Sequence, residues 1–352
     1  MPPSSNPAPV ELPADPMPAL PYGYAARWPV PDDLPALVAL VDQRRELAPE
    51  HGPVDPDAVR VEVVGLGSWT RRQVVVEDPL GELVGWAGVH DRAAGRSDLR
   101  VVVGPAEAAA DAIAASLFDW TAVVAGSIAT ERDVQETRLE LLLDTGDAPL
   151  RAWAAAAGFH LARTWLNMSR PVTADDAEPQ VRPGVVVRRV RVHDLGDGTT
   201  MPYAADLQTV HRMLEESFED HFNSYRESFP EFVQRLREDP GHRWDHWWLA
   251  FVEDGATLLP GGALVSTQLP PDATGTPGSY VDYIGVHRRS RGRGVAKALL
   301  TTVIADAVER GRNRVGLEVD ADSPTGADGL YSSMGWETAY TTESWQAVSR
   351  RT

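Results

Sequence analysis

The stretch HRRSRGRGVAKALL, His287 to Leu300, gathers four arginines, one lysine and two glycines in a chain of formal net charge −18. It follows SYVDYIGV (279–286), which reads as a strand, and runs into VAKALLTTVIADAVERG (295–311), which reads as a helix closed by Gly311. The order is strand, basic glycine turn, helix. A helix N-terminus carries unsatisfied N–H groups and a partial positive charge, so it attracts anions. Gly292 and Gly294 lack a Cβ, reach positive φ and let a phosphate approach the backbone. Arg289, Arg291 and Arg293 supply charge-assisted donors around it, and Val295 is the first helical residue. A solvated basic turn needs charge alone; strand, glycines, arginines and helix together select a phosphate.

Outward from this turn, the chain reads as two copies of one α/β plan. In the second half, VVVRRV (185–190) is a strand and DLQTVHRMLEESFEDHF (206–222) a helix. WWLAFVEDG (247–255) and GGALVSTQL (261–269) form a hairpin, RVGLEV (314–319) alternates as a strand, a short helix ends at Gly335, and TTESWQAVSR (341–350) closes the unit. The first half repeats this order. Asp32-Asp33 caps a helix, strands follow at 73–78, 83–90 and 99–104, and Gly126 stops a helix over 107–126. A strand at 137–143, a short helix ending at Gly158 and a final strand at 162–170 complete it. The proline-rich residues 1–22 read as a flexible leader and VTADDAEPQVRPG (172–184) as a linker, leaving units of 23–171 and 185–352.

Two phosphate patterns fail at the basic turn. No GxxxxGK[ST] spacing occurs, and GxGxxG breaks where Lys297 stands in place of a third glycine. What remains is Arg289-x-x-Gly292-x-Gly294 behind Gly285-Val286. This resembles the acyl-CoA pyrophosphate loop of the GCN5-related N-acetyltransferases, with its pattern Gln/Arg-x-x-Gly-x-Gly/Ala. VDADSPTGADGLYSSMGW (319–336) resembles that family's later motif, with Tyr331 on its tyrosine and Gly335-Trp336 on its Gly-Phe. Ser323 stands where the family often has an asparagine that binds the pantetheine arm. The resemblance covers about residues 185–350 and implies an α+β fold of two tandem units, each a mixed, mostly antiparallel twisted sheet flanked by helices. The first half matches in plan only: its turn, VVVGPAEAAADAI, has Pro105 and Glu107 in place of the basic pattern, and its later helix has Trp153 for the tyrosine.

The resemblance also implies a chemistry. Acetyl-CoA or another acyl-CoA would be co-substrate, and a small-molecule primary amine the acceptor. A backbone amide among Ile284, Gly285 and Val286, freed by a bulge, would hold the oxyanion. Tyr331 would act as general acid on the leaving thiolate. A phenol pKa of ~10 against a thiol pKa of ~8.5 makes full transfer uphill, but a hydrogen bond still stabilises the developing charge. Family members carry a base on the strand before the loop, at the positions of Asp282 and Tyr280 in this chain. Strand alternation puts Tyr280, Asp282 and Ile284 on one face. Glu216, Asp220, His221 and Tyr225 are the acceptor-side candidates, an acidic set suited to a cationic amine. The alternative is an acyl-CoA-binding sensor or scaffold without turnover.

Composition narrows the field further. The negative balance opposes nucleic acid as a partner, since phosphate backbones need a basic face. The absence of cysteine excludes disulfides, thiolate metal sites and cysteine nucleophiles. No signal-peptide pattern opens the chain and no membrane span is expected, so a cytoplasmic protein is anticipated, as monomer or homodimer. A single lysine among many arginines suggests a GC-rich bacterial genome. His242 and His246 have the i,i+4 spacing of a helical metal pair, but Pro240-Gly241 and the following strand oppose a helix, and no metal is expected.

Overall fold

Valine runs buried on both faces make the first half a meander: β1 (Ala25–Arg27), β2 (Arg71–Glu77), β3 (Leu83–Asp91) and β4 (Arg96–Val103) pair antiparallel in order, and β5 (Glu136–Asp144) joins β4 in parallel. In this computed structural model, residues 16–48, 54–92, 94–196, 200–218, 227–322 and 326–351 are described. α1 (Leu34–Arg45) and α2 (Pro56–Val63) cover one face of the meander through Leu37, Leu40, Val59 and Val63. α3 (Ala110–Glu131) covers the other, packing Ile113, Leu117 and Phe118 with Val74, Val101 and Leu141. α4 (Ala148–Ala156) and β6 (His160–Pro171) end this half.

The second half repeats the plan. After β7 (Val185–Arg189), a small ribbon of β8 (Val192–Asp194) and β9 (Thr200–Pro202) precedes α5 (Ala204–Phe218) and α6 (Phe229–Arg237). Then come β10 (Trp247–Asp254), β11 (Thr257–Leu269), β12 (Gly278–Val286), α7 (Val295–Glu309), β13 (Arg314–Asp320), α8 (Ala327–Ser333) and β14 (Glu337–Arg350). α5 and α6 bury Leu207, Val210 and Phe232 on one face; α7 buries Ala298, Leu299 and Val303 on the other.

The halves form one twelve-stranded sheet, ordered β1-β2-β3-β4-β5-β14-β6-β13-β12-β11-β10-β7. Each half therefore lends its last strand to the other. β14 pairs with β5, β6 pairs with β13, and the two exchanged strands pair with each other at the centre. Sequence order alone predicts that each final strand closes its own unit. The observed order instead satisfies the inner edges of both sheets at once, leaving no open edge where they meet.

Other local expectations are also revised. The helix expected to stop at Gly126 runs on to Glu131, because Ile128 and Ala129 extend its buried stripe. Their burial outweighs the roughly 1 kcal/mol that a glycine costs inside a helix. α3 thus has the length and hydropathy to cross a membrane, though none is expected from the sequence; its residues form the centre of the first core. Asp33 does not cap α1 with its side chain, since Arg27 and the N–H of Val30 hold its carboxylate. The leader expected to extend to residue 22 is docked from Pro16, whose carbonyl accepts from Trp120 Nε1 (2.7 Å), and the Ala19 carbonyl accepts from Ser116 (2.6 Å). α6 is not anticipated by the sequence reading; Ser228 and Glu231 start it with a reciprocal capping box.

Strand exchange makes each half depend on the other. Residues 1–184 expressed alone lack β14, the strand that joins β5 to β6. They should show no cooperative urea transition by circular dichroism, and should regain one when residues 185–352 are added. A sharp transition for the isolated half would contradict this arrangement.

Candidate functional site

The site begins where two strands part. β12 and β13 pair in parallel only at Ser279–Val281 with Val315–Leu317, and residues 282–286 have no partner on β13. On the other side β12 stays paired to β11, with one irregularity: Val265 lies opposite Tyr283 and Ser266 opposite Val281. Asp282 is therefore the extra residue of a β-bulge. The expectation of one face shared by Tyr280, Asp282 and Ile284 fails for this reason. Past the bulge, Ile284 and Val286 turn to the α7 side with Val281, whereas Tyr283 packs on the α5–α6 side. The bulge expected at 284–286 lies earlier, at Asp282; residues 284–286 follow it with no partner on β13, while they stay paired on the other side with Leu264, Ala263 and Gly262. Gly285 lies so near α5 that a Cβ would meet Ser217 at 2.9 Å.

The basic turn runs from β12 to α7. Residues Arg288–Ser290 form a 3-10 turn. Gly292 and Gly294 hold φ of +76° and +87°, the left-handed conformation expected of them. Gly294 is the N-cap of α7 and offers no side chain to it, so the first-turn N–H groups from Val295 onward are not capped from within. The arginines divide. Arg289 Nε donates to His287 Nδ1 (3.3 Å), and Arg293 Nη2 donates to the Glu253 carbonyl (2.8 Å). The pattern Arg-x-x-Gly-x-Gly/Ala is met a second time by Arg291-x-x-Gly294-x-Ala296, and this register sets its glycine at the helix cap. Ser323 lies outside the described residues.

Four ionisable residues stand near the parting. Tyr331, on α8, is buried, and burial pushes its phenol above the ordinary range. Asp282 is half-buried with Oδ2 closed to solvent and unpartnered; burial, then Asp239, raises its carboxyl well above the usual carboxylate range. Tyr280 is raised well above the phenol range by burial, with Glu318 and Asp282 adding to it, so it stays protonated. Sequence reasoning misses Glu318. It follows Leu317, the last β13 residue paired to β12, is raised by burial, and takes hydrogen bonds from Asn167 and Thr342 of the exchanged strands. A lone carboxylate in the alternating RVGLEV is the available signal.

On the acceptor side, Glu216 Oε2 lies 3.0 Å from His287 Nε2, which ties it to the basic turn. Asp220, His221 and Tyr225 lie outside the described residues. A cavity of about 360 Å³ opens between the halves, lined by Arg71, His90 and Arg100 of the first and by Arg235, Glu238 and Asp239 of the second. Its arginines are paired, Arg71 with Glu238 (2.8 Å), Arg100 with Glu62 (2.5 Å) and Arg235 with Glu227 (2.7 Å), while Asp239 accepts the Gly241 N–H (2.6 Å) and burial raises its carboxyl. Burial and then Arg71 push the His90 imidazole down to about 2, so its approach to Glu238 is not an ion pair. Arg235 also donates to the Tyr283 hydroxyl (2.8 Å), which connects the cavity to β12.

His242 and His246 share no α-helix. Only Trp244–His246 is helical, as a 3-10 turn, and His246 faces Asp245 and Arg312. Among the described residues no group of three His, Asp or Glu side chains has the arrangement to hold a metal ion.

Comparison with known proteins adds a similarity. Residues 208–336 match the acetyltransferase (GNAT) family. A mycothiol acetyltransferase of Thermobispora bispora is 28% identical over 213 residues, covering 56% of this chain and 65% of that protein. A GCN5-related N-acetyltransferase from Sphaerobacter thermophilus shares the fold with a TM-score of 0.67 at 23% identity, over 94% of this chain and 98% of the other. A tandem GNAT protein from the clavulanic acid biosynthesis pathway does so with 0.60 at 14%, over 92% and 98%.

The first half keeps the parted strands and closes them. β4 and β5 pair only from Arg96–Leu99, as β12 and β13 do briefly. Buried Arg44 then spans the gap: it donates to the Val103 carbonyl at the end of β4 (3.1 Å) and to Asp147, the N-cap of α4 (2.7 Å). Trp153, standing where α8 has Tyr331, lies against the Arg44 guanidinium. At the start of α3 the Glu107 carboxylate accepts from the N–H of Ala109 and from the Tyr24 hydroxyl, taking the place an external anion would need. Asp147→Ala would leave Arg44 charged and buried, so urea unfolding should show a loss of about 3–5 kcal/mol. A loss below about 1 kcal/mol, the level of a surface pair, would contradict this plug.

Proposed function

We propose, taking residues 208–336 as the GNAT domain they match, that the chain is an acyl-CoA-dependent N-acyltransferase working in its second half. It would move acetyl from acetyl-CoA to a primary amine of a small molecule by direct attack. The observation that carries this is the pairing of an uncapped, glycine-entered α7 with the parted edge of β12. The pyrophosphate would lie on the turn from Arg291 to Val295. The thioester carbonyl would point at the amides of Ile284–Val286, where charge develops as the amine attacks. Tyr331 makes no hydrogen bond to a side chain among the described residues, which leaves its hydroxyl for the departing sulfur.

The base is one of two carboxyls, Asp282 or Glu318, both raised by burial. A raised pKa makes the ionised carboxylate a stronger proton acceptor for an ammonium group. The acceptor would enter from the cavity between the halves, next to Arg235 and Asp239. Arginines already paired to carboxylates, with Asp239 beside them, suit a polar acceptor bearing hydroxyl or amide groups.

Thiol release from acetyl-CoA across a panel of amines tests this reading. Gly292→Glu should raise the KM for acetyl-CoA, by strain at positive φ and by repulsion of phosphate. Tyr331→Phe should lower kcat by about 100-fold while CoA still binds. Unchanged donor kinetics in the first variant would contradict the phosphate-binding turn, and an unchanged kcat in the second would remove Tyr331 as the acid. CoA binding without release on any amine would favour a sensor. Because the base works ionised and its pKa is raised, kcat should fall as pH drops through that raised value. Asp282→Asn or Glu318→Gln should abolish this acid limb, and its survival in both would exclude both carboxyls.

A further inference from the structure

The residue that opens the basic turn is a histidine engaged at both ring nitrogens. His287 is only 4% exposed. Its Nδ1 accepts the backbone N–H of Arg289 (3.2 Å) and Arg289 Nε (3.3 Å). An Nδ1 that accepts leaves the ring proton on Nε2, which faces Glu216 Oε2 at 3.0 Å on the last turn of α5. The backbone adds two bonds: the His287 N–H donates to the Gly261 carbonyl (3.0 Å), and its carbonyl accepts the Ser290 N–H (2.8 Å). One side chain thus joins the end of β12, the 3-10 turn before α7 and the end of α5.

We propose that His287 is a positioning residue for the donor: through Arg289 it sets the entry of the turn against the acyl-CoA phosphates, and through Glu216 it ties that turn to α5. This rests on the reading of the turn as the acyl-CoA site. Neither bond from Arg289 survives a proton on Nδ1, and the resulting imidazolium would face Arg288, Arg289 and Arg291, with Glu216 as a counter-charge among the described residues. Burial and then Arg289 hold the imidazole below its ordinary pKa, while Glu216 pulls it upward. Donor binding should therefore be intact with the ring neutral and weaken as acid protonates it.

Calorimetric titration of the full chain with CoA tests this without knowing the acceptor. His287→Ala should weaken CoA binding about tenfold, or about 1.4 kcal/mol. His287→Asn, whose side-chain oxygen can replace the Nδ1 acceptor, should lose about threefold or less. Between about pH 8 and about pH 5, wild-type affinity should fall more steeply than that of His287→Asn, because CoA's own phosphate titration is common to both. Glu216→Gln removes the upward pull, so its acid weakening should move to lower pH. If Gly292→Glu weakens binding but the pH dependence is the same in wild type, His287→Asn and Glu216→Gln, His287 has no positioning role. If Gly292→Glu leaves CoA binding unchanged, the turn is not the donor site and the proposal falls with it. A poorly folded His287→Ala leaves the decision with the other two variants.

Discussion

Everything in the second half depends on how briefly β12 and β13 stay together. Three residue pairs join them, and then a bulge at Asp282 turns β12 away. A strand that leaves its neighbour exposes backbone donors that must find another partner. In this structure the gap opens beside the N-terminus of α7, whose own first-turn donors are also uncapped. The proposed function uses both features together, with phosphates at the α7 end of the ligand and a carbonyl at the β12 edge. The bulge also distributes the side chains, sending Ile284 and Val286 towards α7 and Tyr283 towards Arg235.

The first half shows the same constraint resolved from within. Its strands part at the matching place, but Arg44 and Asp147 fill the opening and Glu107 occupies the start of α3. Its contribution to the second half is structural and local. β6 supplies Asn167 beside Glu318, and β2–β4 supply one wall of the cavity between the halves. Strand exchange therefore places first-half residues beside those proposed to act in the second half.

Much of this is legible in the sequence. The turn from His287 to Val295 can be read because glycine and arginine at those spacings do one thing well, and the positive φ of Gly292 and Gly294 agrees. The repeated plan is legible because each strand and helix carries its own periodicity. Strand exchange is not, because the identity of a β14 neighbour is set by long-range pairing and leaves no local mark. The bulge is misplaced for a related reason: period-two alternation in SYVDYIGV looks the same with or without one extra residue. His287 escapes notice because its role comes from contacts at both ring nitrogens, one of them with α5, distant in sequence.

The central claim is that one of two similar crevices binds acyl-CoA and the other is closed by its own side chains. The stoichiometry of CoA binding to the full chain, measured by calorimetry, addresses it directly. The account predicts one site per chain, lost in Gly292→Glu and kept in Asp147→Ala under conditions where that variant is folded. Two equivalent sites, or a single site that survives Gly292→Glu, would contradict it.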